Sequence, residues 1–565
     1  MGRMTGFAKC ANSPCLNLED QSNTQWTYTT AEVWVLTLAQ PTHRTWWLRI
    51  SRNCFSERLR LEFSPQYLAW RLLMRTKWKT AFSGALLMGI GTAVAAGGSQ
   101  LTFLTNLQPF KDATGILETF NTTGKVDLTG PFFQSLGTNG RSCATCHQPA
   151  DAWTISAEHV AKRFDDSAGL DPIFRTNDGS NCDVVDGTVV PGTPIDTSTL
   201  EARRTAYSLL TSKGLIRIAL PMPANAEFTV VSVSNPYGCN NTTTLSMYRR
   251  PLPSTNLRFL STLMWDGRES SMQTGTKPIL YDQTNPQGNL LFDLRHQSDD
   301  ATTGHAQGAS PSPLQRQQIV DFEMALTTAQ AVDSVAGALS RFKEARGGPV
   351  ALANQPFCIG INDNLAPNDC TPHSFTPIVF TLFTQSWVDA ADDRATKAAR
   401  ASILRGQTLF NSKPLHINGV AGLPPSISQP FDGTCGTCHD TINVGNHSVS
   451  APLNIGVGDQ TFPSLVTNPL DLSYLPQITL QKNDTGQRIT TTDPGRALIT
   501  GKWADIGKLK GPILRGLAAR APYFHNGSAA NLKDVVKFYN ARFLNPTDQL
   551  DAGQQADLVA FLAAL

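Results

Sequence analysis

Two pentapeptides, Cys143-Ala-Thr-Cys146-His147 and Cys435-Gly-Thr-Cys438-His439, share the pattern C-x-x-C-H. At that spacing two thiols can add to the vinyl groups of one haem while the adjacent histidine reaches the iron from the same side. A structural zinc site needs a second C-x-x-C or H-x-x-x-H nearby, and neither motif has one. A redox C-x-x-C does not need the trailing histidine. Cys143, Cys146, Cys435 and Cys438 are therefore the expected attachment residues of two covalent haem c groups, with His147 and His439 as their proximal iron ligands.

The flanking sequence supplies elements that can hold such motifs. Ala398 to Phe410 has helical spacing ahead of the second motif, and Asp551 to Leu565 closes the chain as an amphipathic helix with Leu558, Phe561 and Leu562 on one face. Leu532, Val535, Val536 and Tyr539 fall at i, i+3, i+4 and i+7 and share the inward face of another helix. Between the motifs, Ala226 to Val233 is strand-like by its β-branched content, and Ser310 to Lys343 reads as helix. A run of glycines and prolines from Gly347 to Pro377 marks a linker. The expected fold is mainly α: two c-type cytochrome domains, 97–345 and 395–565, with long loops, a linker at 346–394, and a small strand-containing insertion in the first domain. Cys182, Cys239, Cys358 and Cys370 are left over for two disulfides whose connectivity the sequence does not give.

At 565 residues the chain is long enough for at least two cores, and 41% hydrophobic with 16% charged residues describes a globular protein. A net charge of +2 without a Lys/Arg block argues against nucleic acid as a partner. The one long apolar run, Ala81 to Ala96, is shorter than the ~20 residues of a spanning helix, so an integral membrane protein is not expected. Met74 instead opens a signal-peptide pattern over 74–96: Arg75, Lys77 and Lys79, an apolar stretch from Phe82 to Ile90, then Ala93-Val94-Ala95-Ala96. This predicts export to the periplasm, with residues 1–73 a non-native upstream extension. From Gly97 onward 36 basic residues face 40 acidic ones, so the excess of positive charge belongs to the leader.

Two further stretches narrow the reading. Met264-Trp265-Asp266-Gly267-Arg268-Glu269 resembles the F-W-D-G-R segment of bacterial dihaem cytochrome c peroxidases, and Ala521-Pro522-Tyr523-Phe524-His525-Asn526-Gly527-Ser528 resembles their A-P-Y-F-H-x-G-S segment. The resemblance, to the family that includes MauG, covers most of residues 100–565 in the right order. It implies an N-terminal haem that meets hydrogen peroxide, a C-terminal haem that passes electrons, and a tryptophan, here Trp265, between them. It also implies a distal acid/base near the first haem: Gln297 and Gln307 stand where the family has Gln and Glu, and His305 is the preferred proton carrier because the Glu is missing. His159 is a further histidine within reach of the first motif. The family's usual methionine ligand to the second haem falls at Tyr539, and no methionine follows Met324. A phenolate there would stabilise ferric iron, as in MauG; His525 competes for the same iron. Calcium between the domains is frequent in the family, with Asn256 the nearest candidate ligand here.

The implied function is reduction of hydrogen peroxide at the N-terminal haem by electrons from a small redox protein, a cytochrome c or a cupredoxin, entering through the C-terminal haem. Two alternatives stand beside it: a MauG-like oxidase of an organic or protein substrate, and a pure dihaem electron carrier. The motifs predict two covalent haems per chain, which a pyridine haemochrome assay against protein concentration measures. Cys438→Ala should leave one of the two; a variant that keeps both would show the second motif to be unused.

Overall fold

The computed structural model describes residues 101–182, 195–269, 286–341, 344–363, 375–449, 451–459, 468–545 and 547–565, together with four short strands nearer the N-terminus. The chain separates into Met1–Ile90 and Gly91–Leu565. In the first unit Lys9–Cys10 pairs with Ser13–Pro14, and Trp34–Leu38 with Trp46–Ile50. The signal-peptide segment 74–96 lies outside the described residues.

In the second unit the elements that matter for function are, in chain order, β1 (Gly115–Asn121), β2 (Phe228–Ser234), α1 (Pro313–Ala325), β3 (Leu326–Asp333), α2 (Arg394–Ser412), β4 (Gln477–Lys482), β5 (Arg488–Thr491), α3 (Leu532–Phe543) and α4 (Ala552–Ala563). Each of the four helices starts where a side chain satisfies an orphan N–H. Ser312 and Asp551 form capping boxes with Gln315 and Gln554, while Asp393 and Asn531 accept from Thr396 and Asp534.

Strand is not confined to the insertion. The expected strand forms as β2, but its partner is β4 from far down the chain, with Phe228 opposite Lys482, and β5 extends the sheet. The helix expected over 310–343 ends at Ala325, and Leu326–Asp333 is a strand paired antiparallel with β1, Leu326 opposite Asn121. Tertiary pairing overrides helix propensity there. The Thr328 hydroxyl lies 2.8 Å from that of Thr119 and 2.9 Å from that of Thr255, and the Asn256 side chain both donates to the Thr328 carbonyl and accepts from its N–H. Of the four cysteines outside the motifs, Cys182 is bonded to Cys239 and Cys358 is also in a disulfide; Cys370 lies outside the described residues.

The largest core joins Phe380, Trp387, Phe410, Val536 and Phe561 under the second C-x-x-C-H motif. Its backbone is the crossing of α2 and α4. Gly406 is needed at that crossing, because a Cβ there would sit 2.0 Å from the Asp557 carbonyl oxygen and 2.6 Å from Phe561 Cβ. Arg405 and Ser402 bond the Asp557 carboxylate at 2.7 and 2.6 Å and fix the helix register. Gly406→Ala should therefore force the helices apart and cost about 1–3 kcal/mol despite its better helix propensity. Denaturant unfolding of the haem-loaded protein measures this; unchanged stability would mean that the helices do not approach so closely.

Candidate functional site

Each C-x-x-C-H motif lies in the wall of its own cavity. Cys143, Cys146 and His147 line one, and Cys435, Cys438 and His439 the other. The same local chemistry shapes both turns: Thr145 Oγ1 accepts from the Ser142 N–H and Thr437 Oγ1 from the Thr434 N–H, each at 2.9 Å, and each motif histidine donates its own N–H to the first cysteine's carbonyl at 3.0 Å. His147 Nδ1 is 2.9 Å from the Trp153 carbonyl, and His439 Nδ1 is 2.6 Å from that of Gly445. A carbonyl only accepts, so both Nδ1 atoms carry the proton and both Nε2 atoms present a lone pair. Burial pushes both imidazoles down to about 4, which keeps them neutral and able to ligate. The four thiols are unpaired, and burial pushes Cys143, Cys435 and Cys438 up to about 12, the opposite of a redox-active C-x-x-C. This donor set fits a haem in each cavity.

The two cavities share a wall. Trp265, Lys510 and the stretch Arg250-Pro251-Leu252-Pro253 border both. The wall is built from two segments of equivalent structure, 250–268 and 510–528, offset by 260 residues with only Leu257/Leu517 and Gly267/Gly527 identical. Asn256 and Gly516 each start a short 3-10 turn from the left-handed region, at φ 61° and 69°. Met264 and Phe524 (φ 61° and 63°), then Gly267 and Gly527 (φ 67° and 66°), repeat the same hairpin, closed by the Leu263 N–H to Glu269 and the Tyr523 N–H to Ala529 carbonyls at 3.0 and 2.7 Å. Trp265 and His525 thus hold equivalent places, and their rings meet edge to face at 6.1 Å. The segments bond reciprocally: Arg250 N–H donates to the His525 carbonyl at 2.6 Å and Lys510 N–H to that of Trp265 at 2.7 Å. Trp265 Nε1 donates to the Arg250 carbonyl at 2.7 Å, which locks the indole in the wall.

Charge holds this wall from behind. Arg249 bonds Asp266 at 2.5 Å and Asp493 at 2.7 Å, all three side chains buried, and Arg496 donates to the Asp266 and Gly267 carbonyls. Burial raises both carboxyls, but the Arg249 guanidinium outweighs it and holds them below the usual carboxylate range.

In the N-terminal cavity the structure brings His305 and Gln297 together with His147. His305 Nδ1 bonds the Asp178 carboxylate, which Arg141 also grips. Asp178 was not legible in the sequence, lying 127 residues from His305 with no motif around it. Burial raises its carboxyl, but His305 and Arg141 together hold it lower than usual. Glu323, also unforeseen, lines this cavity from α1 with Oε2 unpaired, and burial pushes it up to about 8. Gln307 is not on the cavity wall: its side chain is exposed and takes a 3.4 Å bond from half-buried Asn139. His159 is half-exposed, 2.6 Å from Asp151, and away from the cavity. The Asn256 side chain is committed to Thr328 at both ends, which does not suit it as a calcium ligand.

In the C-terminal cavity Leu532, Val535, Val536 and Tyr539 form one lining face of α3. Tyr539 stacks on Phe543 at 6.0 Å, and among the described residues its hydroxyl has no hydrogen-bond partner. Burial and the neighbouring thiols raise its pKa. His525 lines the same cavity, buried, with Nε2 unbonded and 3.8 Å from Asp493, and burial pushes it down to about 4.

No family model matches the chain. It is 33% identical over 185 residues to the cytochrome-c peroxidase IdrP1 of Denitromonas iodatirespirans, covering 31% of this chain and 42% of that protein. It is 30% identical over 135 residues to the cytochrome c551 peroxidase of Pseudomonas aeruginosa, 24% of this chain and 31% of that one. The chain thus spans less than half the length of the curated relatives it matches. Among solved structures, a MauG-like protein associated with microbial copper homeostasis shares 14% identity over 77% of this chain and 87% of its own, with a TM-score of 0.29, too low to support a structural argument. Over the segments they share, the chain is homologous to the bacterial cytochrome c peroxidases.

Proposed function

We propose that this chain is an exported, periplasmic dihaem c-type oxidoreductase that reduces hydrogen peroxide at an N-terminal haem, within 97–345, with electrons passed through a C-terminal haem, within 395–565. The observation that carries the reading is the shared wall: two cavities, each with two free thiols and a neutral imidazole, share a wall that carries one oxidisable indole. Cys143, Cys146 and His147 would hold one haem, and Cys435, Cys438 and His439 the other. Once bound, the haems supply iron that exchanges electrons with peroxide and with a donor.

The chain's own residues do the rest. His305, with Nδ1–H committed to Asp178, presents Nε2 as a base that takes the first peroxide proton and returns it to the departing oxygen. Gln297, whose amide has no other partner among the described residues, is available to orient the substrate. Lys510, which burial pushes down to about 8, borders both cavities and would meet a haem carboxylate there, while the Arg250 guanidinium is bonded to the Lys213, Gly214, Ile155 and Arg520 carbonyls and braces the wall. Trp265 is an aromatic side chain that borders both cavities and would carry electrons between them, with His525 against its edge. The electron donor fits a small cytochrome or cupredoxin.

A second reading, a MauG-like oxidase of an organic or protein substrate, is favoured by one observation: the unbonded Tyr539 hydroxyl in the C-terminal cavity. As an anionic iron ligand it would lower that haem's potential and disfavour a high-potential donor. Steady-state peroxide consumption with a reduced small cytochrome tests the first reading. Turnover is expected, and peroxide reactivity without any donor-driven turnover would favour the second.

Replacing His305 with Ala should slow the reaction with peroxide about 10²–10⁴-fold. Asp178→Asn should slow it less, because it keeps the ring but removes the anion that orients it. Trp265→Phe should leave the peroxide step intact and slow donor-driven turnover. Stopped-flow and steady-state rates on the same preparations separate the two effects, and a Trp265→Phe variant with wild-type turnover would reduce this side chain to packing.

A further inference from the structure

Beside the C-terminal cavity lies a second cluster that the peroxidase reading does not use. Asp440 follows directly after the second C-x-x-C-H motif, His447 lies seven residues on, and Asp363 comes from the segment leading out of the Cys358 disulfide region. All three side chains are at most 2% exposed. His447 Nε2 stands 3.4 Å from Asp440 Oδ2 and 3.5 Å from Asp363 Oδ2, and the three ligand atoms lie within 4.8 Å of one another. Among the described residues, neither ring nitrogen of His447 makes a hydrogen bond, and Asp440 Oδ2 makes none either. The other Asp440 oxygen, Oδ1, is held by the Ser448 N–H at 2.7 Å, which turns Oδ2 toward the imidazole.

A buried, unbonded imidazole aimed between two carboxylates is costly unless something completes it. No lysine or arginine among the described residues pairs with Asp440. A divalent cation with neutral His447 balances two carboxylates. The spacing selects the kind of ion: tetrahedral ligands at about 2.1 Å stand ~3.4 Å apart, whereas cis octahedral ligands at that length stand only ~3.0 Å apart. One nitrogen and two oxygen donors suit zinc better than calcium or magnesium, which take oxygen alone.

We propose that Asp363, Asp440 and His447 form a tetrahedral divalent-cation site of the zinc class, with water in the fourth position. The site clamps the 358–363 segment onto the loop that carries the second motif. Hydrogen bonds already run along this seam, from the Gly360 N–H to the Ser448 carbonyl at 3.2 Å and from the Asn362 side-chain Nδ2 to the Asp440 carbonyl at 3.2 Å. The role is structural, since His447 borders the cavity while its donor atom is turned to the carboxylates.

The test uses the haem-loaded protein, stripped with a chelator, incubated with zinc chloride and passed over a desalting column. Elemental analysis should find one zinc for every two irons, and the thermal midpoint should rise on reloading. His447→Gln and Asp440→Asn should each lose the zinc and the shift while keeping both haems, read from their absorbance. Glu269→Gln, in the more exposed Glu269/His296/Asp300 group, should keep both. Less than stoichiometric zinc in the wild type, or zinc retained by His447→Gln and lost by Glu269→Gln, would overturn the proposal. If a variant fails to fold, wild-type stoichiometry still decides the outcome.

Discussion

The pair of reciprocal hydrogen bonds, Arg250 N–H to the His525 carbonyl and Lys510 N–H to the Trp265 carbonyl, is the constraint on which the rest of the molecule depends. It joins two equivalent loops, one from each half of the sequence, into a single partition. Each loop carries a non-glycine residue in the left-handed region, Met264 or Phe524. Such backbone costs about 1–3 kcal/mol and persists only where its surroundings over-determine it. Here they do so through hairpin bonds, the reciprocal pair, and Arg496 on the Asp266 and Gly267 carbonyls. The result is placement: Trp265 is held where it borders both cavities.

Electrostatics explains why this wall holds its position. Arg249 is buried with two aspartates from distant parts of the chain, and removing one member of such a group typically costs about 3–5 kcal/mol because it leaves a buried charge unpaired. Asp266, from the W-D-G-R segment, is thereby tied to Asp493, which also faces His525. On the cavity side the balance is open: Lys510 has no partner among the described residues, and Arg520 keeps one buried N–H unbonded. A cation bordering an apolar cavity suits an anionic guest, and haem c carries two carboxylates.

Much of the site was legible in the sequence because its chemistry is local. The two C-x-x-C-H motifs, the inward face of α3 with Tyr539, and the two family segments are short patterns with fixed spacing. What was not legible is long-range. Asp178 reaches His305 only through the tertiary fold. The two wall segments share two of nineteen residues, so their equivalence lies in backbone conformation rather than in side chains. Helical spacing alone carried the helix past Ala325, where pairing with β1 decides the outcome. Gln307, placed by counting from Gln297, falls outside the cavity because the chain turns at Gln307 itself, with φ 54°.

The central claim is that one wall couples two haem sites. Multiwavelength stopped-flow of the wild-type haem-loaded protein, reduced by one electron and mixed with one equivalent of hydrogen peroxide, tests it most directly. Coupling through the Trp265 wall predicts that the absorbance of the haem held by His439 changes together with that of the haem held by His147, with one shared rate. A response confined to the N-terminal haem, with the second following only on addition of an external mediator, would contradict the account.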